Sequence, residues 1–374
     1  MHRGRTYLIW RWARAPERRY NPPMALLPKF GLNRFDYRSP AAFAADVKRA
    51  EERGWDYAFI PSSPLRRQDP YVNLAFAASA TESIGLGPLI ENPVMRHPSV
   101  MASSIATVDA LAPGRTLLGY GVGDTAVRLM GERPAKVAEL EAATVLTRAL
   151  LAGEKIEVAA ERPAVLDHAR PVPVWIAAGG PRTLRMAGRV ADGVFMRVGT
   201  HRANINAAVE AVLSGAAEAG RDPSEVKLGL IFHTIITEDQ EYGELLSRSM
   251  AAGYYEYSPT LFDAPGFSWD GPDIEELRAK VWPDFHHASD LEASGRLVSF
   301  LPDEVADAFA IYGPPEMIAA KLSGALHLGH EIEMIIPHPV PTPTPGEVGP
   351  DYIDRFMNEV VPVLKSLREM LQPR

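Results

Sequence analysis

The chain has 374 residues, 46% of them hydrophobic and 23% charged, with a formal net charge of −8, an ordinary globular composition that excludes a disordered or fibrous protein. It has no cysteine, which removes disulfides, thiolate metal sites, cysteine-ligated iron–sulfur clusters and cysteine nucleophiles, so any redox chemistry must come from a bound organic cofactor. No long run of one charge sign suggests a nucleic-acid partner, and no apolar window reaches the ~18 residues of a membrane span, so the expectation is a cytoplasmic protein acting on a small molecule.

Residues 1–23 are arginine-rich and read as a loose extension ahead of a candidate start at Met24; their apolar run Tyr7-Leu8-Ile9-Trp10 is too short for a secretory signal. Residues 24–374 are expected to form one domain. A weak strand at 28–32 opens it, and a helix at 39–54 follows with Phe43, Val47 and Ala50 on one face. Strands at 55–60, 84–90 and 116–121 then alternate with helices at 71–82, 99–111 and 136–153. Strands at 172–178, 193–198 and 227–236 alternate with helices at 182–190 and 203–220. A helix at 315–328 and a strand at 331–336 precede a long final helix from Tyr352, which Pro362 is expected to kink.

Eight strands alternating with helical regions point to an α/β fold, a (β/α)8 TIM barrel with insertions; a doubly wound open sheet is the competing arrangement. The largest insertion, at about 237–314 between strands 7 and 8, is rich in aromatic residues, among them Tyr254, Tyr255, Tyr257, Trp269 and Trp282. In a barrel it would overhang the C-terminal face, where active sites sit, although a purely structural or dimer-forming role fits it equally.

Three segments could carry chemistry. The first, Ala178-Gly179-Gly180-Pro181, ends the fifth strand and opens a helix; its glycines allow close backbone approach, and free amides at such a helix start make a phosphate seat. A plain helix-initiating turn is the alternative. The second, with Gly121, Gly123 and Asp124 after the fourth strand, could lie against a ring or a phosphate, but lacks the spacing of a dinucleotide fingerprint or a P-loop. Asp124 there is a weak catalytic candidate as a polar contact, and a helix cap is the other reading. In the third, prolines bracket Asn92, Arg96 and His97 after the third strand; His97 is a weak catalytic candidate, and a helix-capping histidine is the other reading. No metal site is expected, because the histidine pairs lack a carboxylate ligand at helical spacing.

Taken in order, Asn92-Pro93-x-x-Arg96-His97-Pro98, Gly114-Arg115-x-x-Leu118-Gly119-x-Gly121-x-Gly123-Asp124 and Ala177-Ala178-Gly179-Gly180-Pro181 resemble the bacterial luciferase-like superfamily. Within it the chain looks most like the F420-dependent methylenetetrahydromethanopterin reductase-like oxidoreductases. The resemblance implies a deazaflavin ring at the barrel mouth, against a bulge with a non-prolyl cis peptide at Leu89–Ile90. It also implies a cofactor phosphate on Gly179 and Gly180, with Gly121, Gly123 and Asp124 on the opposite side. One departure stands out: Pro61-Ser62-Ser63-Pro64 occupies the place where many relatives carry an Asp-His pair.

The expected function is therefore hydride transfer between coenzyme F420 and a small organic substrate, by a chain that pairs as a homodimer. The alternatives are an FMN-dependent monooxygenase served by a separate flavin reductase, and a non-catalytic flavin-binding protein.

Overall fold

The structure, a computed structural model, describes residues 27–35, 37–157, 162–340 and 350–371; the expectation for residues 1–23 lies outside them. The described strands are β1 (Lys29–Leu32), β2 (Tyr57–Ile60), β3 (Gly85–Pro88), β4 (Leu118–Tyr120), β5 (Val174–Ala178), β6 (Gly193–Met196), β7 (Lys227–Ile236), β8 (Ala310–Gly313) and β9 (Met334–Pro339). Eight of them pair in parallel in the order β3-β2-β1-β9-β7-β6-β5-β4. Single parallel bridges, Leu86 to Thr116 and Glu91 to Tyr120, bring the β3 and β4 edges together. The sheet curls into a nearly closed (β/α)8 barrel, so the open-sheet alternative does not hold.

Helices α1 (Pro40–Glu52), α2 (Pro70–Ala80), α3 (Pro98–Leu111), α4 (Thr125–Leu129), α5 (Val137–Leu151), α6 (Pro181–Val190) and α7 (Arg202–Glu218) connect the first seven strands. Proline opens four of these, at Pro40, Pro70, Pro98 and Pro181. Its fixed φ suits the first helical position, where its missing N–H costs nothing. In α1, Ser39 accepts from the Ala42 amide at 3.1 Å, and Phe43, Val47 and Ala50 face the barrel, the stripe expected from their spacing.

Inside the barrel, Phe59, Leu117, Trp175, Phe195, Ile231 and Ile336 form a buried cluster. Phe195 meets Phe59 edge-on at 5.7 Å between ring centroids and Trp175 at 4.6 Å. This plug fills the staves below the mouth and confines any binding site to the C-terminal rim.

The insertion holds α8 (Gln240–Tyr257), α9 (Ile274–Arg278), α10 (Leu291–Leu297) and α11 (Asp303–Phe309), then β8. That strand was not expected from the sequence. β8 pairs with the upper half of β7, His233 to Ile236 against Ala310 to Gly313. Four residues directly after a helix are too short a run to show a period of two. Beyond β8 come α12 (Pro315–Leu326) and, after β9, α13 (Pro350–Arg355) and α14 (Val361–Leu371). The kink expected at Pro362 takes the form of a π-helical turn over Phe356–Val360, just ahead of it, the wider turn accommodating a residue that has no N–H to offer its preceding carbonyl.

Candidate functional site

The rim encloses a cavity of about 550 Å³. One wall is the start of α6. Gly180 occupies the N-cap without any side-chain cap, and Pro181 is the first helical residue. The amides of Arg182 and Thr183 therefore lack helical acceptors while both residues line the cavity, which makes a seat for an anion with the helix dipole behind it. The two glycines differ. A Cβ on Gly179 would lie 2.8 Å from the Arg197 carbonyl oxygen, whereas one on Gly180 would meet nothing nearer than Ser258 Oγ at 3.9 Å. Packing thus demands the first glycine, and the second leaves space that only a ligand would use.

Ile90, Val122 and Ala177 give the cavity an apolar side. The Leu89–Ile90 peptide bond is cis, as the resemblance implied. Gly121 lies behind Ile90, whose Cδ1 would be 2.4 Å from a Cβ at that position. Gly123 adopts φ +82° against Val127 and Asn92, a left-handed conformation that favours glycine. Asp124, next in sequence, lines the cavity at the N-cap of α4 without making a cap hydrogen bond. Burial pushes its carboxyl above the usual range, opposed by Arg197, with Asp284 adding to the rise.

The insertion supplies the roof. Tyr254, Tyr257 and His286 line the cavity beside Arg197, the first residue beyond β6. Arg197 Nη2 donates to His286 Nδ1 at 2.7 Å. Because a guanidinium only donates, His286 Nδ1 must be the acceptor and its proton sits on Nε2. His286 stacks on His233 at 5.0 Å, and His233 meets His338 edge-on at 5.1 Å. At the far end Arg34 Nη2 donates to His338 Nε2 at 2.7 Å. Burial, reinforced by the nearby arginines, lowers all three imidazoles well below the ordinary histidine range, so they are neutral.

Outside this row, Thr125 Oγ1 donates to Asp284 Oδ2 at 2.7 Å, and His287 Nδ1 lies 2.8 Å from Asp284 Oδ1. The carboxyl of Asp284 is depressed to about 2; burial would raise it, but His287 and Thr125 outweigh that.

Of the residues singled out from sequence, Ile90, Gly123, Asp124, Ala178, Gly179, Gly180 and Pro181 border the cavity. Gly121 and Leu89 support Ile90 from behind, Leu89 within the barrel plug. Asn92 is buried and accepts from the Met95 amide at 3.0 Å, so it shapes the loop and does not face the cavity. His97 is likewise outside it: its Nδ1 caps α3, accepting from the Ser99 amide at 3.2 Å, the helix-cap reading. Arg197 and His286 were missed as site residues, because they come from separate elements with no shared spacing, while Tyr254 and Tyr257 entered only as members of the aromatic insertion expected over the C-terminal face. Only Arg197 carried a signal, its place at the C-terminal end of a barrel strand. Among the described residues no group of three or more histidine and carboxylate side chains is placed to hold a metal, and no helix is long and apolar enough to cross a membrane.

Comparison with known proteins agrees with this geometry. The family model for luciferase-like monooxygenases matches residues 24–329. The 5,10-methylenetetrahydromethanopterin reductase of Methanolobus tindarius is 30% identical over 295 residues, covering 76% of this chain and 86% of that protein. An F420-dependent glucose-6-phosphate dehydrogenase of Beutenbergia cavernae is 31% identical over 232 residues, 56% of this chain and 67% of that one. The solved coenzyme F420-dependent tetrahydromethanopterin reductase of Methanopyrus kandleri superposes with a TM-score of 0.71 at 25% identity, over 90% of this chain and 99% of its own.

Proposed function

The chain belongs to the luciferase-like monooxygenase family, and from that premise we propose that it is an oxidoreductase moving a hydride between coenzyme F420 and a small organic substrate. The relatives named for F420 support this choice of cofactor. The observation that carries it is the uncapped start of α6 opening onto an apolar wall at Ile90: an anion seat joined to a surface fit for a ring. The residues fit the group, since Gly180 leaves room for a phosphate that no side chain occupies.

Bound there, the deazaflavin supplies the hydride-accepting carbon, and the chain's task is to hold and orient. The amides of Gly180, Arg182 and Thr183 take the phosphate. Ile90 would offer the ring an apolar wall, Tyr254 and Tyr257 of the insertion would limit the access of water, and Asp124 would be the polar group on that wall. No nucleophile is required, in keeping with a cavity that has none paired to a base.

We also read the chain as a homodimer. On α2, Val72 and Phe76, one turn apart, are 50% and 52% exposed, an apolar patch suited to a second copy.

Fluorescence titration of the purified chain with F420 and absorbance titration with FMN test the cofactor reading. Saturable binding of F420 with hydride transfer to or from a substrate supports it. Tight FMN binding without F420 binding indicates instead an FMN monooxygenase served by a separate reductase, and F420 that binds without ever turning over indicates a carrier.

A further inference from the structure

Resting on the cofactor reading above, we propose that the substrate is an organic carboxylate whose anionic group is held by Arg197, with His286 positioning the guanidinium. Arg197 is an arginine built into a cavity wall without a counter-ion. Among the described residues no carboxylate lies within ion-pair distance of it; Asp124 is near enough to feel its charge but forms no contact. A guanidinium has five N–H donors. One goes to His286 Nδ1, and the group also reaches Tyr254, over whose ring its carbon sits at 5.5 Å. Among the described residues the remaining donors find no acceptor, and the half-buried guanidinium on the cavity wall is left able to pair with an anion.

The shell around Arg197 keeps it still. His286 is buried and is sandwiched between His233 at 5.0 Å and Tyr257 at 5.8 Å. Arg34 adds a second positive charge behind this row, and its guanidinium feels Arg197 as a like neighbour. A planar fork held in place among neutral rings matches a planar carboxylate, while a phosphate, with more oxygens and more charge, is better served by the amides at the start of α6. The cofactor's own phosphate is the other source of anionic oxygen, and the two can be separated.

The full-length chain, with and without F420, is titrated calorimetrically with benzoate against sodium chloride of equal ionic strength, while F420 affinity is followed by fluorescence. Benzoate should bind the F420-loaded protein and lose about tenfold in affinity in Arg197→Met, with F420 affinity unchanged. Arg197→Lys keeps the charge without the fork and should lose benzoate similarly, which guards against a variant that merely unfolds. His286→Phe should weaken benzoate about as much, and His286→Asn, which retains an acceptor, should recover most of it. Benzoate binding no better than chloride overturns the proposal, as does F420 binding that falls about tenfold in Arg197→Met. Failure of the wild type to bind F420 sinks the cofactor reading alone, since benzoate binding to the unloaded chain still reports on Arg197.

Discussion

Thr125 Oγ1 donates to Asp284 Oδ2 at 2.7 Å, so the residue after Asp124 is fastened to the middle of the insertion, nearly 160 positions later in the chain. The rim loop and the roof therefore move together. Asp284→Asn keeps the volume but loses an acceptor for Thr125 and His287, at a cost of about 1–3 kcal/mol at this buried position. Urea denaturation measures the loss, and limited proteolysis should reveal faster cleavage in the insertion. A variant as stable and as resistant as wild type would show that the clasp holds nothing.

The paired glycines at the start of α6 should separate by substitution. Gly179→Ala drives a methyl to 2.8 Å from the Arg197 carbonyl and should destabilise the fold by about 1–3 kcal/mol. Gly180→Ala meets nothing closer than 3.9 Å and should leave the melting temperature within a degree or two while weakening F420 binding about tenfold or more. Equal effects of the two changes on stability would undo that division.

Protonation should act on the rim from two directions. His233, His286 and His338 are held neutral, so the unfolded chain takes up three protons that the folded chain refuses once pH drops below about 6.5, and stability falls. Glu91 and Glu256, both pushed up to about 7 chiefly by burial, keep protons in the folded chain that unfolded carboxylates release above about pH 4.3, which stabilises the fold as pH falls. The two sets oppose each other, so between about pH 4.5 and 6.5 the carboxyls should offset part of the stability that the histidines lose on acidification. With both Glu91→Gln and Glu256→Gln in place the loss of stability on acidification should become steeper than in the wild type. Urea titrations at several pH values give both slopes, and identical slopes would refute this assignment.

The α2 face gives a test of assembly. Phe76→Glu places a charge in the exposed apolar patch and should convert a dimer to a monomer in sedimentation velocity, with little change in monomer stability. An unaffected dimer would put the contact elsewhere on the surface.

Much of the barrel was legible because its strands include continuous apolar runs, as at Tyr57–Ile60, and its helices carry an apolar stripe, as at Phe43, Val47 and Ala50. The turn that opens α6 was legible for a local reason: two glycines and a proline between a strand and a helix restrict the backbone to few shapes. β8 was not, since Ala310-Ile311-Tyr312-Gly313 reads as the tail of α11. The Arg34–His338 and Arg197–His286 pairs were not, because their members lie about 300 and 90 positions apart, and only the closing of the barrel and the folding of the insertion over its rim bring them together. His97 shows the opposite failure: a residue conspicuous in sequence whose imidazole serves the first turn of α3.

The strand that closes the insertion gives it two anchored ends: the chain departs at Ile236 and returns at Ala310, where β8 pairs in register with the last four residues of β7. Everything between behaves as a cassette clipped into the sheet at both ends. An engineer could exchange the roof for that of another barrel of this kind, keeping β7, β8 and the plug beneath them, and so change the cavity's cover without rebuilding the barrel.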